Sequence, residues 1–285
     1  MPFESISIGN GGLPKIILIA PDGARAEVYL HGGQVTSWIP ANGEEQLFLS
    51  PRSEFKRQSA IRGGVPVLFP QFSVFGPLRK HGFARLSDWG LLGIEQHARL
   101  ESAIFTLSDN EDTRQKWPNG FQLELSVTIG GNRISLTLSV TNTGSRPFVF
   151  TTGLHTYLRV LDISQVRIDG LQGSTYLDQA DENHEKLQSE KLLAIEGETD
   201  RIYHNPRPLL TLQDGLGQLL VGRRGFADTV IWNPGAEARL VDLEPDSFRS
   251  FVCIESATIA RPVRLSPDES WQGTQTLSKA GNSTK

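Results

Sequence analysis

The residues best suited to chemistry gather first between Ile61 and Trp89, in the run IRGGVPVLFPQFSVFGPLRKHGFARLSDW. It holds Arg62, Arg79, Lys80, His81 and Arg85 among glycines, prolines and aromatics. Neither a helix nor a long strand reads this way. An ordered, irregular segment is expected, and such segments on a rigid scaffold are where sites tend to be built. A guanidinium fork matches phosphate oxygens bidentately, and an ammonium adds a point charge. His81 adds a ligand contact or a structural donor. The other reading of the segment is a crossover whose cations face water.

Further candidates lie downstream. In Gly153-Leu154-His155-Thr156-Tyr157-Leu158-Arg159-Val160, strand alternation places His155, Tyr157 and Arg159 on one face. That face suits a binding cleft; the alternative is a core histidine with both ring nitrogens satisfied. Glu255 ends Phe251-Val252-Cys253-Ile254-Glu255 and shares a face with Phe251 and Cys253. A carboxylate on an apolar face is raised in pKa by desolvation and becomes a better base. A strand-end carboxylate reaching solvent is the plainer reading. Asp200, in Glu198-Thr199-Asp200-Arg201-Ile202-Tyr203, can accept hydrogen bonds from sugar hydroxyls or sit in a surface turn. Trp89 and Trp232 can offer flat faces to a sugar ring, although large aromatics more often fill cores.

The elements that must position these groups are strands. Phe121, Leu123, Leu125, Val127 and Ile129 alternate with polar residues. Gly130-Gly131-Asn132 supplies a turn, and Ile134, Leu136, Leu138 and Val140 resume the alternation. This predicts a hairpin with one apolar face. Further strands are expected at Ala26–Leu30, Leu100–Leu107, Phe148–Thr152, Leu209–Leu212, Gln218–Val221, Thr229–Trp232, Arg239–Leu243 and Phe251–Glu255. Glu182–Leu193 reads as a short helical turn or a solvated loop. Many short strands at close spacing, without a fixed-period repeat or a Ser/Pro-rich linker, imply a sandwich or barrel. One large β domain over residues 1–285 is expected, ending in a poorly ordered tail, 279–285.

The bulk composition narrows the function. The chain has 285 residues, 38% of them hydrophobic, enough for a sizeable core. A formal charge of −4 argues against a general nucleic-acid or membrane-surface binder, while leaving room for a local cationic pocket. Cys253 is the only cysteine, which excludes an intramolecular disulfide and a cysteine-rich zinc site. The start, MPFESISIGN, lacks a signal region, and no apolar run is long enough to span a membrane. A cytoplasmic protein is expected. The sequence has no GxxxxGK loop, no GxGxxG after a strand, no HExxH and no GxSxG. Nucleotide-driven phosphoryl transfer, dinucleotide redox chemistry, zinc proteolysis and serine-esterase chemistry lose support accordingly.

Five motifs in order, IRGGVPVLFPQF, HGFAR with SDW, GLHTYL, ETDRIY and FVCIESA, resemble the hexose-6-phosphate mutarotases, the glucose-6-phosphate 1-epimerases related to aldose 1-epimerase. The resemblance runs from about residue 5 to 278. It implies an all-β fold, the antiparallel β-supersandwich of galactose mutarotase, with the site in a cleft on one sheet. It also implies roles. His155 in GLHTYL and Glu255 in FVCIESA match the catalytic histidine and glutamate. Arg62 in IRGG and Arg85 in HGFAR match substrate-binding arginines, expected on the phosphate. Asp200 matches a substrate-binding aspartate, and His81 falls beside the ligand. Lys80 stands before HG where many members have glutamine, which adds a charge to the site. The segment from Gln71 to His81 is also compact.

The implied reaction interconverts the α and β anomers of a hexose 6-phosphate. Glu255 takes the C1 hydroxyl proton, His155 protonates the ring oxygen, and the ring opens, rotates and recloses. No metal or organic cofactor is expected, the partner is a small sugar phosphate, and a monomer is expected. Three other readings remain open: an aldose 1-epimerase on unphosphorylated sugars, a carbohydrate-binding protein without turnover, and a glycoside hydrolase with Asp200 as second carboxylate.

Overall fold

The computed structural model describes residues 6–215 and 217–280. Strand makes up 51% of it and helix 8%, so the all-β expectation holds. Two large antiparallel sheets face each other. The first, here the back sheet, has nine strands in the order Leu192–Ala194, Arg167–Asp169, Leu209–Gln213, Gln218–Arg224, Ser270–Lys279, Arg133–Asn142, Phe121–Gly130, Leu100–Ser108 and Gly90–His97. The second, here the cleft sheet, orders His184–Leu187, Thr175–Asp178, Thr199–His204, Asp228–Asn233, Phe251–Leu265, Phe148–Leu154 and Val67–Leu68, with Tyr157–Arg159 also pairing to Phe251–Leu265. A four-stranded antiparallel sheet, running from Ile6–Ile8 to Gln34–Ile39, completes the architecture.

The hairpin forms as its alternation requires. Phe121–Gly130 and Arg133–Asn142 pair throughout across a two-residue turn of Gly131 and Asn132, with φ of 59° at Gly131. Phe121, Leu123, Leu125, Val127, Ile134, Leu136, Leu138 and Val140 are fully buried. They meet Phe150, Leu154, Ile231, Val252 and Ile254 of the cleft sheet in one apolar core, which also receives Ile16, Leu18, Val28 and Trp38 from the four-stranded sheet.

Several expectations are corrected. Arg239–Leu243 is not a strand but part of an irregular segment between Asn233 and Pro245; its side chains are used one by one, as described below. Glu182–Leu193 is neither helix nor plain loop: His184–Leu187 edges the cleft sheet, and Leu192 begins the Leu192–Ala194 strand at the edge of the back sheet. The expected tail begins too early, because Lys279 ends the Ser270–Lys279 strand and pairs with Leu219. Residues 281–285 of that tail lie outside the described residues. A capped helical turn at Glu111–Lys116, where Asn110 accepts from the Thr113 N–H, has no counterpart in the strand reading.

Candidate active site

The cleft is built on the cleft sheet from adjacent strands in register. Asp200 pairs with Trp232, Trp232 with Cys253, and Val230 with Glu255. Alternation then sends Asp200, Trp232, Val230, Cys253 and Glu255 to the same face. Glu255 lies inside a strand that runs on to Leu265, so it is not a strand-end carboxylate, and it is 2% exposed.

The histidine segment is a strand with a two-residue interruption. Phe148–Leu154 ends with Leu154 opposite Ser256, and pairing resumes with Tyr157 opposite Cys253. The register is the same on both sides of the gap, so His155 falls directly across from Glu255. In the gap the His155 N–H donates to the Pro66 carbonyl (3.0 Å) and Ile254 donates to Thr156 (3.1 Å). Gln275, from the back sheet, braces the gap from below. Its amide nitrogen donates to the Ile254 carbonyl (3.1 Å) and Ser256 Oγ (2.9 Å), and its Oε1 accepts from the Thr156 hydroxyl.

His155 Nδ1 faces Glu255 Oε1 at 3.3 Å. The His155 ring stacks on Tyr157 at 4.7 Å with 7° between planes, and its edge meets Trp232 and His81. Nδ1 of His155 and Oε2 of Glu255 are buried without a hydrogen-bond partner. Burial, then nearby Asp200, raises Glu255 well above the usual carboxylate range. Burial, then the neighbouring His81 and the cations Arg62, Arg85 and Lys80, holds His155 well below the usual imidazole range. The pair therefore prefers its uncharged form, a carboxylic acid beside a neutral imidazole.

The roof comes from the irregular segment. Gly64 has φ of 62°, and a Cβ there would lie 2.2 Å from the Val35 carbonyl oxygen, so only glycine allows the chain to turn at this point behind Arg62. Arg62 donates through Nε to Asp242 Oδ2 (3.0 Å) and through Nη1 to the Tyr157 hydroxyl (2.9 Å). Its charge is balanced before any ligand arrives.

The 80–85 turn differs from this. Gly82 has φ of 68° and packs where a Cβ would lie 2.2 Å from the Phe69 carbonyl oxygen. His81 Nδ1 accepts from the Ser73 N–H (3.1 Å). Burial first, then Arg85 and Lys80, pushes His81 down to about 2, so the ring is neutral. Its one proton is on Nε2, which makes it a fixed donor. Arg85 makes one hydrogen bond, from Nη2 to the Lys80 carbonyl (3.2 Å), and its Nε is buried without a partner. Burial lowers Arg85 to about 10, still charged at neutral pH. Lys80 has no carboxylate within ion-pair distance among the described residues. Asp200 is raised by burial, with Glu198 and Asp178 adding to the effect and Lys80 opposing it, to about 6.

One cleft thus holds every expected site residue: His155, Glu255, Arg62, Lys80, His81, Arg85 and Asp200. Its empty volume, counting the open mouth, is about 610 Å³. Trp232 lines it, whereas Trp89 is core: the Trp89 indole N–H donates to the Ala84 carbonyl at 3.0 Å. Arg159 shares a strand with Tyr157 but is exposed and absent from the lining. Asp242, Gln179 and Leu240 were missed by the sequence reading. Asp242 lies 180 positions from Arg62 in the chain, and no local pattern marks it.

The aldose 1-epimerase family model matches residues 14–278. A Cenchrus ciliaris protein named "Putative glucose-6-phosphate 1-epimerase" is 35% identical, over 99% of this chain and 89% of its own length. An Escherichia coli protein of the same name is 32% identical, over 89% and 86%. A solved Salmonella typhimurium structure, described as a putative mutarotase, superposes with a TM-score of 0.88 at 29% identity, covering 95% of this chain and 91% of the other. A galactose mutarotase-like protein from Clostridium acetobutylicum shares the fold, with a TM-score of 0.79 at 17% identity over 97% and 98% of the two chains.

The chain belongs to the aldose 1-epimerase family, whose chemistry is the interconversion of sugar anomers on a small sugar substrate. Its curated relatives carry the glucose-6-phosphate 1-epimerase name, and its fold is the mutarotase β-supersandwich. No helix among the described residues is long and apolar enough to cross a membrane.

Proposed function

We propose that the protein interconverts the α and β anomers of a hexose 6-phosphate, glucose 6-phosphate first among them, with Glu255 and His155 as the proton-transfer pair. The observation that carries this reading is the cross-strand placement of His155 opposite Glu255, at 3.3 Å, in a cleft that also holds Lys80 and Arg85.

The proton inventory follows from that geometry. For ring opening, Glu255 is a carboxylate and His155 is protonated. Glu255 takes the C1 hydroxyl proton while His155 gives one to the ring oxygen, and the C1–ring oxygen bond breaks. The pair is left as carboxylic acid and neutral imidazole. Rotation about C1–C2 turns the aldehyde over. Closure reverses both transfers, with Glu255 now the acid toward the carbonyl oxygen. Burial favours the uncharged state of the pair, which is the state matched to the open-chain sugar. Lys80 and Arg85 pull Glu255 back toward its ionised form. The same cations oppose a positive charge on His155, so they act on the two members of the pair in opposite senses. His155 Nδ1 is turned to Glu255 and sealed from solvent, so Nε2 is the nitrogen that meets the sugar.

Phosphate preference is supported by the two unbalanced cations. Arg85 has a buried Nε without a partner, and Lys80 lacks a carboxylate. A dianionic ester satisfies both, and His81 Nε2–H adds a neutral donor. Arg62 is spent on Asp242 and Tyr157, which makes it chiefly a wall of the site with donors to spare.

Anomer exchange measured by NMR on glucose 6-phosphate and on free glucose, with Glu255→Gln protein as background, tests the reading. Acceleration confined to the phosphate ester is expected. Equal acceleration of both sugars would transfer the protein to general aldose 1-epimerases, and acceleration of neither would reject turnover on glucose.

A further inference from the structure

We propose that His155, Cys253 and Glu255 form a binding site for a thiophilic divalent cation, Zn²⁺ by preference, whose occupation blocks the proton-transfer pair. The nitrogen, sulfur and carboxylate oxygen of these residues all lie within 4.8 Å of one another, and all three residues are buried. Two of the donors are unsatisfied: Nδ1 of His155 and Oε2 of Glu255 have no hydrogen-bond partner. Buried polar atoms left in this way are uncommon.

The spacing suits zinc. Zinc–nitrogen and zinc–oxygen bonds of about 2.1 Å at a tetrahedral angle set the two donor atoms about 3.4 Å apart. His155 Nδ1 and Glu255 Oε1 are already at 3.3 Å. Cys253 is on the same strand face as Glu255, two residues before it, and strand geometry presents its sulfur to the same space. A zinc–sulfur bond of about 2.3 Å sets the sulfur about 3.6 Å from the other two donors, so the Cys253 side chain closes inward on the metal when it binds. An imidazole, a thiolate and one carboxylate make a mixed donor set that favours zinc over the oxygen-seeking magnesium or calcium. The fourth position is left to a water molecule admitted with the metal.

The charge balance is closed. The thiol gives up its proton on binding, as metal-ligating cysteines do, and the carboxyl proton of Glu255 leaves with it. Three protein ligands then carry two negative charges against the dication. The metal takes the Glu255 carboxylate that accepts the sugar proton, and its charge on Nδ1 of His155 opposes protonation of that ring, so a loaded site cannot relay protons. The inhibitory half of this inference rests on the proposed acid/base roles; the binding half does not.

Cobalt(II) is the probe for binding, because a cobalt–thiolate bond gives a charge-transfer band in the near ultraviolet. Titration of the metal-free protein should develop that band to one equivalent, and Zn²⁺ should displace it. Cys253→Ser and Cys253→Ala, which alter no residue of the proposed machinery, should lack the band. In parallel anomer-exchange assays, Zn²⁺ should inhibit the unaltered protein reversibly, with recovery on chelation. Half-inhibition of the cysteine variants should need at least about tenfold more Zn²⁺, the least expected when a ligand and not merely its support is lost. No cobalt–thiolate band in folded protein, or equal zinc sensitivity in all three proteins, would overturn the site. A band without anomer exchange on any sugar would uphold the metal site and reject the epimerase reading, so the two failures are separable.

Discussion

In the back sheet, Phe121–Gly130 and Arg133–Asn142 alternate strictly, with buried apolar residues on one face and partly exposed polar ones on the other. In the cleft sheet, Phe251–Leu265 is buried on both faces through its first eight residues. The pleat is the same, but the demands on the second face differ. Where that face meets water, polar side chains are solvated at no cost. Where it meets a roof, each polar group must find a partner or remain strained by desolvation. Glu255 Oε2, His155 Nδ1 and Arg85 Nε remain without partners. The back sheet supplies stability, and the cleft sheet spends part of it on groups held ready for a ligand.

Four substitutions test that division. Glu255→Gln removes the proposed base while keeping its shape. Turnover should fall by about 10²–10⁴-fold, with phosphate-ester binding retained by calorimetry; near-normal exchange rates would strip Glu255 of its role. Leu136→Ala empties a fully buried position of the back sheet. It should cost about 2–5 kcal/mol in urea unfolding and leave the kcat of the folded protein unchanged; a drop in kcat would mean the sheets are not independent in this sense.

Arg85→Ala deletes the guanidinium with the unpaired Nε. A charged hydrogen bond is worth about 1.5–3 kcal/mol, so KM for glucose 6-phosphate should rise about 10- to 100-fold. KM for free glucose, where measurable, should hold; equal changes would deny the phosphate contact. Asp200→Asn has the smallest expected effect and two signatures. Asp200 titrates at about 6, so turnover should decline as pH falls through that value and lose this inflection in the variant. The folded protein also holds that proton more tightly than the unfolded chain, whose aspartates titrate near pH 3.9. Stability conferred by this group is therefore lost as pH rises from about 4 to about 6 and stays lost above. The Tm advantage of Asn should be full at pH 7.5 and absent at pH 3.5, and an advantage equal at both would refute the raised carboxyl.

The same contrast explains what could be read in the sequence. The hairpin was legible because its alternation reports one dry face and one wet one. The faces of His155 with Tyr157 and of Glu255 with Cys253 were legible within each segment. Their meeting was not: it depends on pairing between strands about a hundred residues apart, and on an interruption that keeps the register. The roles came from resemblance of motifs, which is blind to pairing as well. Asp242 was invisible for a related reason. It belongs to a segment whose apolar and charged residues mimic a strand, while its carboxylate is fixed by an arginine far away in the chain. Trp89 and Trp232 are the same residue type with different fates, decided by which has a roof over it and which has a core around it.

Phe251–Leu265 is hydrogen-bonded to Asp228–Asn233 on one edge and to Phe148–Leu154 and Tyr157–Arg159 on the other. Its central amides can exchange with solvent only when the sheet itself parts, whereas the 71–85 segment, held largely by turns and single side-chain bonds, can open alone. Glu255, the proposed base, is therefore anchored on a slowly exchanging strand, and Lys80 and Arg85 on a segment that exchanges more quickly. Substitutions around Lys80 can change which sugar is admitted while the carboxylate and imidazole beneath keep their spacing, which leaves selectivity free to drift over a reaction that stays fixed.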